Sequence, residues 1–335
     1  MTTGLLDTIP VEERRLLRRR VQPVWVEPMA ATLTDERFSD PGWIFERKLD
    51  GVRVLAFRKG PRVRLYSRTR KPQDRAYPEI VDALAAQDAD DLVVDGEVVA
   101  FEGKQTSFAR LQGRLGLHDP DRARRTGIAV FLYLFDLVHL DGHDLSKVPL
   151  RARKSLLRRA VDFSDPLRFL THRVRRGEDY YREACSKGWE GLIAKRGSAT
   201  YQHRRSRDWL KFKCVAEQEF VIGGWTDPQG SRAGLGALLI GYHEDGALRY
   251  AGKVGTGFNQ KTLRDLRDRL DALERDDAPF DLGAGLPRQA HWVEPRLVAQ
   301  IGFTEWTGDG RLRHPRYLGL REDKPPRDVV RERPA

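Results

Sequence analysis

Cysteine is nearly missing from this chain: Cys185 and Cys214 are the only two in 335 residues. Two thiols cannot build a four-cysteine zinc site, and in a reducing compartment they are expected to stay unbridged. No apolar run approaches membrane-spanning length, so the sequence offers no helical span. The opening stretch Met1–Asp7 lacks the charged-then-apolar build of a secretion signal, and a cytoplasmic protein is expected. A glycine-rich phosphate loop is also missing. Gly230, Gly234 and Gly236 do not follow a strand and open a helix, so they read as hairpin glycines. There is no internal repeat and no long low-complexity segment. Acidic residues are fewer than basic ones, 49 against 60, which leaves a net charge of +11. That balance suits a polyanionic partner such as nucleic acid, and equally suits solubility alone.

What is present fits a soluble, well-charged enzyme, with 40% hydrophobic and 33% charged residues and length enough for two domains. The chain is organised around Phe45-Glu46-Arg47-Lys48-Leu49-Asp50-Gly51-Val52-Arg53. Apolar runs flank it, Trp43-Ile44-Phe45 before and Val52, Val54, Leu55 and Phe57 after. Asp50-Gly51 between them is a turn signal, so Lys48 falls where one strand ends and the next begins. A lone lysine there is ordinarily a solvated surface residue. The alternative is a nucleophile, which must lose its proton and needs cationic or desolvating neighbours.

Along the chain, residues 11–20 read as a short basic helix, solvated rather than dedicated to DNA. Residues 21–42 are proline-rich and expected to lie extended. Arg62–Tyr66 alternates as a strand, and Pro78–Leu84 opens a helix with proline at an early position. Leu92–Phe101 reads as strand–turn–strand, with Asp95 and Glu97 among apolar residues. Such carboxylates are costly unless they meet a cation, a metal or a donor; a surface hairpin turning at Asp95-Gly96 is the plainer alternative. Phe108–Leu117 reads as an amphipathic helix, and Ile128–Leu137 as a central strand buried on both faces. Within it Phe135 is either core or a stacking platform for a base. Helices are expected at Pro149–Val161 and Glu178–Lys187. Glu190–Lys195 reads as a strand, and so does Asp208–Lys213, where Lys211 and Lys213 share a face. Two such lysines repel unless something anionic lies between them or the strand is a lysine-guarded edge. Near residue 216 the character changes to roughly five short strands with one helix, Asn259–Leu273, and a basic tail. That is the pattern of a small, partly open barrel of the oligonucleotide-binding (OB) type.

Together these segments resemble the covalent nucleotidyltransferases, most closely the ATP-dependent DNA ligases. In family order they are Lys48-Leu49-Asp50-Gly51-Val52-Arg53, Ser67-Arg68, Asp95-Gly96-Glu97, Phe135-Asp136, Glu190-Gly191-Leu192-Ile193-Ala194-Lys195 and Lys211-Phe212-Lys213. The run Arg316–Lys324 looks like the family's final motif. The resemblance covers about residues 20 to 330. Within the family, Gly302-Phe303-Thr304-Glu305-Trp306-Thr307 and Leu318–Pro325 are most similar to the ligase module of bacterial end-joining repair ligases. With no room for a polymerase or nuclease module, a stand-alone form is expected.

The resemblance implies an α+β fold: a nucleotidyltransferase (adenylation) domain of antiparallel sheets with flanking helices in residues 1–215, then an OB-fold β-barrel in residues 216–335. It implies that Lys48 attacks the α-phosphorus of ATP and carries AMP, helped by Lys211, Lys213 and a divalent metal, Mg²⁺ or Mn²⁺. Glu190 is the foremost expected metal ligand, with Asp50 a second. Phe135 would stack on adenine, with Glu46 at the base edge through its backbone and Lys195 also in the nucleotide site. Arg53, Arg68 and Glu97 would hold the ribose and neighbouring groups, while Arg321, Asp323 and Lys324 would orient the leaving pyrophosphate. AMP would pass to the 5′-phosphate of nicked or broken duplex DNA, with the barrel reorienting between steps. A monomer acting on the nucleoid, with a Ku-like end-binding protein as a candidate partner, completes the expectation. An RNA ligase or mRNA-capping enzyme shares the lysine chemistry and is the alternative, although the final motif argues against it. The chain departs from the family pattern at Thr69-Arg70, where Asn-Gly is usual, at His203, where glycine is usual, and at Gly302, where glutamate is usual.

Overall fold

The computed structural model describes residues 4–214, 216–228, 234–281, 285–287 and 289–334. Contacts divide the chain into two compact units, Met1–Cys214 with Arg333–Ala335, and Val215–Glu332.

The first unit is built on two sheets. The larger has eight strands, and its backbone runs through Val130–Leu140, Asp91–Glu102, Val52–Lys59 and Arg62–Ser67 in that spatial order. The smaller has five, ordered His172–Val174, Trp43–Lys48, Gly191–Arg196, Arg205–Lys213 and Ala30–Leu33. The apolar run Trp43-Ile44-Phe45 is continuous because its strand is covered on both faces. Phe45 packs with Tyr180 and Ala184 of the Gly177–Ser186 helix. On the opposite face Trp209 joins Leu55, Phe57, Val93, Val99 and Phe135 from the larger sheet. The Val130–Leu140 strand is likewise shared between two clusters: Leu132, Leu134 and Leu137 pack under the Pro78–Ala85 and Leu150–Ala160 helices, and Phe135 and Val138 face the smaller sheet. Arg205–Lys213 is no edge: it lies between Gly191–Arg196 and Ala30–Leu33.

In the second unit, Ala247–Val254, Ala237–Glu244, Ala216–Thr226 and His291–Phe303 form consecutive antiparallel neighbours, and Arg316–Leu320 joins the last of them. A bridge from Thr256 to Arg316 brings the first strand round to the last, so the sheet curls into the expected OB-type barrel. The Gln260–Asp271 helix buries Leu263, Leu266 and Leu270 against it.

Several local expectations need correcting. Helix covers only Val11–Arg14, because Arg18 and Arg19 pair as a strand with Asp144 and His143. Asp95-Gly96 is not a turn: Asp91–Glu102 is one continuous strand, with a register shift opposite Val130–Leu140 between Asp95 and Gly96. A Cβ at Gly96 would lie 2.7 Å from the Tyr133 carbonyl, so the glycine serves a close backbone approach. The 108–117 helix is one turn, Phe108–Leu111, followed by a 3₁₀ turn that buries Arg114 against Glu79 at 2.7 Å. The basic tail contains the strand Arg316–Leu320. Gly230 lies outside the described residues, whereas Gly236 sits in the connection before Ala237–Glu244, its amide on the Thr226 carbonyl at 2.7 Å.

The cysteines, expected apart, form a disulfide. Trp189 N–H donates to the Ala184 carbonyl at 2.9 Å and Cys214 N–H to the Glu190 carbonyl at 3.0 Å. These bonds fold the helix end back beside the end of the Arg205–Lys213 strand and bring the two Cα atoms to 5.2 Å. Residues 29 apart in sequence give no hint of that proximity.

Candidate active site

Residues paired laterally across an antiparallel sheet point to the same face. In the smaller sheet three such rows cross the Trp43–Lys48, Gly191–Arg196 and Arg205–Lys213 strands: Lys48–Gly191–Lys213, Glu46–Ile193–Lys211 and Ile44–Lys195–Trp209. Lys48, Lys211, Lys213, Lys195 and Glu46 therefore share one face, while Phe45, Leu192, Ala194 and Phe212 alternate onto the other and form its core. Gly191, at φ 146°, is required between Lys48 and Lys213: a Cβ there would collide with the Phe212 carbonyl.

Lys48 ends its strand and pairs with Glu190, the residue before the next strand; their side chains are 21% and 10% exposed. Asp50 is placed otherwise. Its Oδ2 accepts the Phe108 amide at 3.1 Å at the start of the Phe108–Leu111 helix, and its own amide donates to Thr106 Oγ1 at 3.3 Å. It braces the turn that follows Lys48.

At the far end of the face lies a sealed charge cluster. Glu46 is fully buried, with Lys154 on Oε1 and Lys195 at 2.6 Å from Oε2. Burial alone would raise its carboxyl, but the two ammonium groups outweigh that and hold it below the usual range. Burial likewise lowers Lys195, to about 8, with Lys154 adding to the fall and Glu46 opposing it. Lys195 Nζ sits 4.1 Å from the Phe135 ring centre and 4.0 Å from that of Trp209.

The larger sheet supplies the opposing wall. Arg53 and Glu97 are lateral partners, and Tyr133 is next in the row. Arg53 is fully engaged: Nε and Nη2 fork onto Asp95 at 2.5 and 2.6 Å, and Nη2 also reaches the Met29 carbonyl at 3.1 Å. Burial works against its charge, but Asp95 outweighs it and raises the guanidinium above its ordinary value. Asp95 thus meets the cation its apolar setting demands, and Tyr201 Oη adds a donor at 2.6 Å. The Arg53 guanidinium lies 4.7 Å over Phe135, so that ring is flanked by cations from both sheets.

Arg68 follows the Arg62–Ser67 strand in a turn at which Arg70 adopts φ 60°. This explains why Asn-Gly is usual there. Ser67 Oγ supports the turn, contacting Thr69 Oγ1 at 3.2 Å and accepting the Lys71 amide at 3.1 Å. His203 is not at positive φ, so glycine's freedom is unused, and its Nδ1 lies 3.1 Å from the Glu27 carbonyl. In the second unit Arg321 is forked onto Asp323 at 2.9 and 2.8 Å, and Lys324 lies 3.4 Å from Glu219.

Sequence reasoning missed Lys154, Arg153, Tyr201 and Trp209. A signal existed for the first two: Arg153 and Lys154 stand three and four residues after Leu150 and just before Leu156 and Leu157, on the apolar face of their helix. There Arg153 forks onto buried Asp136 at 2.7 and 2.9 Å.

The carboxylate supply limits any metal. No group of three or more His, Cys, Asp or Glu side chains is placed to hold one among the described residues. Mg²⁺ is commonly held by one or two carboxylates together with substrate phosphates, and Glu190 at the mouth of a lysine-lined face fits that pattern.

Comparison with known proteins gives the family. A family model described as ATP dependent DNA ligase domain matches residues 28–213, and one described as ATP dependent DNA ligase C terminal region matches residues 231–324. The chain is 36% identical over 324 residues to a protein of Pseudomonas aeruginosa named Multifunctional non-homologous end joining protein LigD, covering 93% of this chain and 37% of that one. It is 33% identical over 304 residues to a DNA ligase of Thermococcus fumicolans, covering 85% of this chain and 53% of that one. It therefore spans little more than a third of the first of these relatives and about half of the second. Among solved structures, a mycobacterial DNA ligase D complexed with ATP and MES superposes with a TM-score of 0.66 at 34% identity, covering 92% of this chain and 98% of that one. The chain thus belongs to the ATP-dependent DNA ligases.

Proposed function

We propose that this chain seals 5′-phosphate/3′-hydroxyl breaks in duplex DNA through AMP bound covalently to Lys48. The observation that carries the reading is the Lys48–Glu190 pair on a face that also presents Lys211 and Lys213. In the first step the Lys48 amine forms an N–P bond to the α-phosphorus of ATP as the bond to pyrophosphate breaks. AMP then passes to the 5′-phosphate of the break: an O–P bond forms and the N–P bond breaks. The 3′-hydroxyl finally attacks that 5′-phosphate and AMP leaves.

Lys211 and Lys213 attract the phosphates. Phe135, between the Arg53 and Lys195 cations, provides the base platform, with the Glu46 backbone at the base edge. Glu97 accepts a ribose hydroxyl and Arg68 lies beyond it; Arg53 acts through Asp95. Of the two carboxylates expected to hold a metal, Glu190 fits better, because Asp50 Oδ2 is committed to the Phe108 amide. Mg²⁺ or Mn²⁺ held there would neutralise charge on the phosphates during transfer. Arg321 and Lys324 belong to the pyrophosphate end of the reaction.

The adenylating part comprises residues 1–215 and the barrel residues 216–335. The relatives' end-joining names support a role in DNA repair, as a monomer on nucleoid DNA beside a Ku-like end-binding protein. DNA contacts are expected to be sequence-independent and strongly weakened by salt. The test is incubation of the purified chain with labelled ATP or GTP, a divalent metal and a nicked duplex. Label trapped from ATP and a sealed strand are expected. Label trapped only from GTP, or none on Lys48 by peptide mass spectrometry, refutes the reading.

A further inference from the structure

The sealed cluster at the far end of the site contains a residue that no motif includes. Lys154, on the Leu150–Ala160 helix, has its ammonium almost wholly buried. It bonds three separate elements: Glu46 Oε1 on the Lys48 strand, the Phe135 carbonyl at 3.3 Å, and the Leu170 carbonyl at 3.2 Å just past the Leu167–Phe169 strand. An ammonium has three protons, and here each has an acceptor. One acceptor belongs to the residue whose ring is the base platform. Another belongs to the carboxylate whose second oxygen anchors Lys195 against that ring.

We propose that Lys154 is a positioning residue for nucleotide binding: by holding the Glu46 carboxylate and the Phe135 backbone together, it sets where Lys195 and the Phe135 ring stand against the base of ATP. This rests on the reading of the chain as an adenylating enzyme. Two features separate it from a merely structural salt bridge. Two ammonium groups share one carboxylate, so the cluster carries an excess positive charge in a buried place, an arrangement that packing alone does not favour. And Lys154 is one of the causes that lower Lys195, so its removal has an electrostatic consequence at a group facing the site. The charged groups around Lys195 are Glu46 and Lys211 on its own sheet, Asp136 and Arg53 on the larger sheet, Lys154 and Arg153 on the helix, and His172 on the neighbouring Glu46–His172 row.

The sign follows. Taking away Lys154 removes a like charge and leaves Glu46 wholly to Lys195, so Lys195 keeps its proton to higher pH. Glu46→Gln does the reverse, leaving two ammonium groups without a counter-charge, and Lys195 loses its proton at lower pH.

The experiment measures single-turnover Lys48–AMP formation against ATP concentration from pH 6.5 to 10, in the wild type, Lys154→Met, Lys154→Arg and Glu46→Gln. Lys154→Met is expected to raise the half-saturating ATP concentration about tenfold, as loss of charge-assisted hydrogen bonds predicts, with a smaller change in the saturated rate. Its alkaline loss of affinity should move to higher pH, and that of Glu46→Gln to lower pH. Lys154→Arg should restore affinity to within about threefold, since it keeps the charge and the donors. If Lys154→Met does not fold, the opposite shift in Glu46→Gln and the rescue level of Lys154→Arg carry the test. Unchanged ATP affinity and an unmoved alkaline limb in whichever variants fold overturn the proposal. A wild type that takes up no AMP overturns instead the functional reading beneath it.

Discussion

The two ends of one sheet face make an instructive contrast. At the rim, Lys48 stands on the last residue of its strand beside one carboxylate, Glu190, and keeps a fifth of its side chain exposed. At the floor, Lys195 and Lys154 enclose Glu46 with almost no exposure at all. Both ends hold lysine and glutamate, yet their chemistry diverges. A lysine at a strand end can meet a phosphate from outside and move between partners. Lys195 also stands near the end of its strand, Gly191–Arg196, but pinned between a carboxylate and two aromatic rings it can only hold its place. Exposure, not position along the strand, separates the two: Lys48 keeps a fifth of its side chain in solvent, whereas Lys195 is sealed.

Substitutions at the two ends test this difference. The largest effect belongs to the rim: Lys48→Ala should reduce adenylation by at least about a thousandfold while circular dichroism shows the fold intact. Residual labelling at the wild-type rate would place the nucleophile elsewhere. Glu190→Gln keeps the shape and removes the charge, so the adenylation rate should fall about a hundredfold; a wild-type rate would remove Glu190 from the reaction.

The floor should instead register in stability. Lys195 titrates at about 8 in the fold, against an ordinary 10.5. Between these pH values the unfolded chain binds a proton the folded chain does not, so stability rises with pH across that window. Denaturant midpoints should show that rise in the wild type and a flatter line in Lys195→Met; parallel lines would deny the shift. Cys185→Ser opens the link between the Gly177–Ser186 helix and the end of the Lys213 strand. It should cost about 2–4 kcal/mol in oxidising buffer and nothing in strong reductant, with the adenylation rate of the folded protein unchanged. The smallest effect is at the Ser67-Arg68 turn. Arg70 sits at φ 60°, and Arg70→Gly exchanges a left-handed penalty of about 1–2 kcal/mol for backbone entropy of about 0.4–1 kcal/mol. A net gain of about 0.5 kcal/mol is expected from thermal melts; a loss would mean that the Arg70 side chain contributes more than its backbone costs.

Legibility in the sequence followed the range of the interactions. Lys48 could be singled out because a turn signal and two apolar runs lie within ten residues of it, and Lys211 and Lys213 because alternation puts them on one face. The two-part fold was legible in the change of strand spacing near residue 216. Asp95-Gly96 misled because an Asp-Gly pair is a turn signal in isolation. Here the carboxylate is claimed by Arg53, forty-two residues away, and the glycine by the Tyr133 backbone. The basic run at 11–20 misled similarly, since helix propensity there yields to pairing of Arg18 and Arg19 with a strand past residue 140.

Short windows of the chain were enough to single out Lys48, to put Lys211 and Lys213 on one strand face, and to announce a barrel after residue 216. Those features are written in residue type, alternation and turn chemistry within short windows. It took the folded chain to bring Lys154 and Lys195 to one carboxylate, Arg53 to Asp95, and Cys185 to Cys214. A buried charge is tolerated only where the fold delivers its partner, and the partners here come from helices and strands far along the chain.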